Sequence, residues 1–93
     1  MTIIYKETFV SRLEKQLKYL SKNSPKSASK LKTELINRIK EIPENPYLFR
    51  KSIYFDNELV RDLIYKGYTV VFRINGNQIE VFGFTRFQET PTD

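Results

Sequence analysis

Leu59-Val-Arg-Asp-Leu-Ile-Tyr65, Lys66-Gly67, Tyr68-Thr-Val-Val-Phe-Arg-Ile74, Asn75-Gly76 and Asn77-Gln-Ile-Glu-Val-Phe-Gly-Phe84 follow one another in the last third of the chain. Three runs rich in β-branched and aromatic residues are separated by two dipeptides that end in glycine. Two-residue hairpin loops need positive φ, which glycine adopts without strain, so the stretch reads as two β-hairpins in series. Counting from the loops places Tyr65 opposite Tyr68 and Ile74 opposite Asn77. Leu63, Val70 and Val81 then become neighbours on one face, as do Phe72 and Ile79. The other face would carry Val60, Asp62, Ile64, Thr69, Val71, Arg73, Glu80, Phe82, Phe84 and Arg86. It is too apolar for a plain solvent face, and such a patch is expected to touch a partner.

Upstream, Thr2 to Tyr5 is a short β-like run. A helix is expected from Phe9 to Ser21 or Lys22 with Thr8 as N-cap, because Phe9, Val10, Leu13, Leu17 and Leu20 recur at helical spacing. Asn23-Ser24-Pro25 is a turn and a new start, with Ser24 as cap and Pro25 at the first helical position. The second helix, striped by Ala28, Leu31, Leu35, Ile39 and Ile42, runs to about Ile42, and Pro43 ends it. So short a connection makes the two helices antiparallel. Ser52 to Phe55 reads as a further strand or an extended lead-in, and Asp56-Asn57-Glu58 as a turn. The order is β-α-α-β-β-β. The fold class is α+β, with a helical hairpin packed on one face of a small antiparallel sheet. The helices should cover the face with Leu63, Val70, Phe72, Ile79 and Val81 and leave the other open.

Ninety-three residues suit one domain, spanning 1–93. The absence of cysteine excludes disulfides and thiol chemistry, and the absence of histidine removes the usual general base and His-ligated metal sites. No motif points to a metal or organic cofactor. The N-terminus lacks a signal-peptide pattern and no apolar run could span a bilayer, so a soluble cytoplasmic protein is expected. Lys and Arg number 12 against 5 Asp and Glu in residues 1–51, and 4 against 6 in residues 52–93, so net +7 and −2 sum to +5. The basic half favours acidic partners.

Arg61 falls on the core-facing side, opposite Phe72. A buried guanidinium needs a partner or an exit to water. It either pairs with a helix carboxylate such as Glu34 or leaves by the sheet edge, and there it could meet phosphate or a partner carboxylate.

Val60-Arg61-Asp62-Leu63-Ile64-Tyr65-Lys66-Gly67-Tyr68-Thr69-Val70-Val71-Phe72-Arg73-Ile74 resembles the signature of the RelE/ParE superfamily, the toxins of type II toxin–antitoxin modules. The shared pattern is an arginine, an apolar residue two positions on, a short turn, then Tyr and a β run ending in an aromatic. The strand at Gln78 to Phe84, the helical hairpin and Asn45-Pro46 fit as well. The resemblance implies a growth-inhibiting toxin neutralised by a cognate antitoxin in a hetero-oligomer. The target it implies is either DNA gyrase, as for ParE-like members, or the ribosome and its mRNA, as for RelE-like endonucleases.

The RelE catalytic set does not carry over by position. Its two lysines fall on Val60 and Asp62, and the arginine after its tyrosine falls on Thr69. Cutting RNA through its 2′-hydroxyl needs proton transfer and stabilisation of the phosphorane charge. Arg73, Arg86, Lys51 and Tyr68 are the residues here that could supply these, with Lys66 and Tyr65 nearby. Tyr65 and Tyr68 read more simply as a cross-strand aromatic pair flanking the hairpin. A ParE-like, non-nuclease mechanism is therefore favoured, the alternatives being a ribosome-dependent mRNA endonuclease with a substituted site and a non-toxic antitoxin-binding module. Contact with antitoxin or target is expected from Ile64, Arg61, Arg73, Phe82, Phe84, Arg86 and Phe87.

Overall fold

A computed structural model describes residues 1–86. Strand β1 (Thr2–Tyr5) leads into α1 (Glu7–Ser21) and α2 (Pro25–Lys40). Two 3-10 turns, Ile42–Glu44 and Pro46–Leu48, connect to β2 (Arg50–Lys51), β3 (Val60–Tyr65), β4 (Tyr68–Asn75) and β5 (Gln78–Arg86). The expected α+β class and the helical hairpin on one face are both present. The sheet has order β1-β5-β4-β3-β2 and is mixed, because β1 joins β5 in parallel while the other pairs are antiparallel. Its backbone is tied at both ends, Thr2 N–H to Asn77 O at 3.0 Å and Lys6 N–H to Val81 O at 2.8 Å.

That second bond also moves the start of α1. The Lys6 carbonyl already accepts Val10 N–H at 3.1 Å, so the helix opens at Glu7 and Thr8 is not its cap. Ser24 does cap α2, accepting Ser27 N–H at 3.2 Å, with Pro25 at the first helical position. Pro43 sits in the 3-10 turn that follows, and the α-helix ends at Lys40.

The first hairpin keeps the counted register, with Leu63 opposite Val70 and Tyr65 opposite Tyr68. Lys66 and Gly67 both have positive φ, as a two-residue loop with two left-handed positions demands. The second hairpin differs. Asn75 pairs with Gln78, so the loop is Gly76-Asn77, with Gly76 at φ +57 in the first loop position. The shift of two residues preserves the faces. Ile79 now lies opposite Ile74, and Val81 opposite Phe72.

A β-bulge then places an extra residue, Phe82, in β5, so that Gly83 faces Val71 and Phe84 faces Val70. This one-residue slip inverts the faces and corrects two expectations. Phe84 is a core residue, 3% exposed, edge-on to Phe9 at 6.0 Å and stacked on Tyr68 at 5.3 Å. Arg86 follows it to the helix side, opposite Tyr68, with its guanidinium 6.0 Å from that ring. The gain is the burial of a phenylalanine, while Gly83 leaves no side chain on the second face.

The helix-side face holds the core expected for it. Leu63, Val70, Phe72, Ile79 and Val81 pack with Phe9, Leu13, Leu31, Leu35 and Ile39. The second face is not open, and this is a further correction. Ser52–Phe55 is neither strand nor lead-in but part of a bent strap that returns across the sheet. Ile53 N–H donates to Asp62 Oδ2 at 3.2 Å on β3, and Phe55 meets Phe82 at 5.4 Å on β5. Val71 lies between those two anchors in the register and is fully buried, as are Val60 and Asp62 beside it. The Asp62 side chain is 0% exposed; Oδ2 takes Arg50 Nε at 3.2 Å and Nη2 at 3.1 Å, and Oδ1 has no hydrogen-bond partner. The strap ends in the expected turn, where Asn57 receives Val60 N–H on its carbonyl and Leu59 N–H on its side chain.

Candidate functional site

The structure disperses the charged residues singled out from the sequence. Arg73 donates to Glu80 Oε1 at 3.1 Å on the strap side of the sheet. Lys51 pairs with Glu58 at 3.1 Å on the exposed edge. Tyr68 lies five residues from Arg73 along β4, about 16 Å away at strand rise, and on the opposite face. Its hydroxyl accepts from Gln16 at 3.1 Å, and only Arg86 of the proposed set is beside it.

Arg61 resolves its burial differently from the Glu34 pair considered above. It leaves over the sheet edge and donates to the carbonyls of Glu58 at 2.9 Å, Phe49 at 3.1 Å and Tyr47 at 3.4 Å, with its guanidinium 5.2 Å from the Tyr47 ring. Those bonds tie the 3-10 segment and the strap to β3. Ile64 is 49% exposed. Leu59 O points towards β4 and Val60 O towards Ser52, so by alternation Ile64 N–H and C=O face the outer edge, past the end of β2. Phe82 is half-buried under Phe55. Phe87 lies outside the described residues.

Glu80 sits between two donors. The Asn75 amide, at 3.2 Å, is the main influence holding its carboxyl below the usual glutamate value. Partial burial opposes this, and the Arg73 hydrogen bond and charge reinforce it, with a smaller effect from Lys6. A folded value below the unfolded one means the ionised carboxylate favours folding. That contribution is complete above the ordinary value of 4.5 and fades as pH falls through the lowered folded one. Arg73→Ala should move the Glu80 titration upward in carbon-detected NMR while leaving it under the Asn75 influence. An unchanged midpoint would show that Arg73 is electrostatically free.

The most developed surface feature was not singled out in the sequence. At 100° per residue, α1 carries two apolar columns, Phe9, Leu13 and Leu20 in one and Val10 and Leu17 about 70° away. The first turns to the sheet, with Phe9 and Leu13 buried; the second stays half-buried. On α2, Ile36 stands about 100° off the stripe that fills the core. Val10, Leu17 and Ile36 thus face a groove of about 380 Å³ between the helices, floored by Phe9 and Leu13 and closed at one end by Tyr5. Lys32, Lys40 and Glu14 line it as well. Burial in this setting raises the Tyr5 hydroxyl above its ordinary pKa. The groove's lining suits the apolar face of an amphipathic helix: apolar along its length and mostly cationic at its margin.

Among the described residues no group of three or more metal-ligating side chains converges, and no helix is long and apolar enough to cross a membrane. A search of curated proteins finds no match. Among solved structures the fold is similar to one described as the chromosomal ParDE TA system from P. aeruginosa. It is 17% identical, with a TM-score of 0.75, covering 92% of this chain and 95% of that one. That likeness concerns the fold. The family model described as "ParE toxin of type II toxin-antitoxin system, parDE" matches residues 3–86, nearly the whole chain. On that match, the chain belongs to the ParE toxin family of type II toxin–antitoxin systems.

Proposed function

We propose that this chain arrests growth by blocking DNA replication at gyrase rather than by cutting RNA, and that a helix of its cognate antitoxin neutralises it from the groove between α1 and α2. The observation that carries the first half is the scatter of its charged residues. Phosphoryl transfer needs its acid, base and cations within hydrogen-bond reach of one phosphate. Here Arg73 is paired with Glu80, Lys51 with Glu58, and Tyr68 stands on the far face. The Val60 and Asp62 positions, where the nuclease pattern has lysines, lie buried under the strap.

The second half rests on the groove's chemistry. Half-buried aliphatic residues at helical spacing, flanked by Lys32 and Lys40, suit the apolar face of a helix with acidic flanks. The expected sheet patch is less available, since Val71 and Phe84 are buried.

The test is induction of the chain alone and of Arg73→Ala and Lys51→Ala variants, followed by mapping of transcript ends. Both variants should arrest growth as the unsubstituted chain does, with transcripts intact. Codon-phased cuts in translated mRNA, lost on either substitution, would overturn the reading in favour of a ribosome-dependent endonuclease.

A further inference from the structure

The groove occupies one flank of α2, and the opposite flank holds a second concavity. Ser27, Glu34 and Arg38 follow one another at helical spacing on that side, facing the tip of the β3–β4 hairpin. Together with Lys66 and Tyr68 of the hairpin, Ser27, Lys30 and Glu34 enclose a cleft of about 210 Å³ whose apolar part is Leu20, Leu31 and Tyr65.

The charge of this cleft is unbalanced. Lys66 reaches Glu34 only at 3.6 Å, and its ammonium is also 5.4 Å from the Tyr65 ring. The Arg38 guanidinium lies 5.8 Å from the centre of the same ring. Neither Arg38 nor Lys30 has a carboxylate partner among the described residues. Of the residues lining the cleft two are cations, Lys30 and Lys66, against one acid, Glu34, and Arg38 adds a third cation beside it against Tyr65. Lys66 holds its place at φ +47, a left-handed position where asparagine or glycine would be less strained. The tyrosine rings are engaged by cations and, for Tyr68, by Phe84 stacked at 5.3 Å. Arg86 adds a further cation over the Tyr68 ring, and rings already covered in this way favour a carboxylate attached to an aliphatic group over a stacked nucleobase.

We infer that this cleft is a second anchor for the antitoxin, taking an acidic residue next to an apolar one from an extended segment that continues out of the groove. The inference rests on the groove being the antitoxin's seat. The reach is short: half the circumference of a helix about 10 Å across is about 16 Å, or about five extended residues. A chain held at both flanks clasps α2, and each anchor raises the effective concentration of the other.

The test uses the co-expressed, purified toxin–antitoxin complex, with antitoxin affinity measured at two salt concentrations. Lys30→Glu combined with Lys66→Glu should weaken binding about 10- to 100-fold and flatten its salt dependence. Both side chains are exposed, and unfolding curves will verify that the variant folds. Growth arrest by the free variant should persist. Unchanged affinity and salt slope in this variant, with affinity lost in Ile36→Asp, would overturn the cleft and leave the groove standing. Reduced growth arrest with antitoxin affinity intact would assign the cleft to the target and also overturn the inference. Unchanged affinity in both variants would remove the groove reading and the cleft with it.

Discussion

Phe72→Ala should lower the free energy of unfolding by about 3–5 kcal/mol, out of a total of about 5–15 kcal/mol for a domain of this size. Phe72 is fully buried in the middle of β4, where it meets Phe49 edge-on at 5.5 Å and lies opposite Val81 in β5. Its neighbours come from three sides: the sheet, α2 through the shared core, and the 3-10 segment through Phe49. No single element can collapse into the space left behind, which puts the cost in the upper part of the large-to-small range. Urea unfolding followed by circular dichroism measures it. A loss under about 1 kcal/mol would mean that the two layers repack freely and that the core described here is not the one that holds the fold.

Ile36→Asp should weaken antitoxin binding by about 100-fold or more while changing stability far less than Phe72→Ala. Ile36 sits off the core stripe of α2 and is only half-buried, packed against the margin of the core that Leu35 and Ile39 fill, so its replacement removes less buried surface than that of Phe72. In the complex the same position would be desolvated by the incoming helix, and a carboxylate there would be buried without a partner. Leu17→Asp, across the groove on α1, should act alike. The measurement is titration of each purified variant with the antitoxin. Affinity within about threefold of the unsubstituted chain would place the antitoxin elsewhere, with the Ile64 edge of β3 the next surface to examine.

The architecture was legible because its determinants are local. Lys66-Gly67 and Gly76 mark the hairpins, and the Leu31-Leu35-Ile39 stripe and the Ser24-Pro25 start mark α2. The arrangement of the second face was not legible. Alternation in β5 breaks at Phe82, and a bulge has no sequence signature beyond a glycine whose purpose only the partner strand reveals. That single extra residue moved Phe84 and Arg86 to the helix side. The strap was hidden because its anchors, Asp62 with Ile53 N–H and Phe55 with Phe82, are separated in sequence. Asp62 read as an exposed acid on the sheet; it is a buried acceptor that holds the strap down. The groove did leave a trace. Val10 and Leu17 make the apolar surface of α1 wider than one core contact requires, and Ile36 is an aliphatic residue off the α2 stripe.

The central claim, replication rather than RNA as the point of attack, is tested most directly by pulse-labelling DNA and protein synthesis in the first minutes after the chain is induced without its antitoxin. DNA synthesis should fall first, with translation continuing and mRNA intact. A collapse of translation accompanied by cut mRNA, with DNA synthesis falling only afterwards, would contradict it.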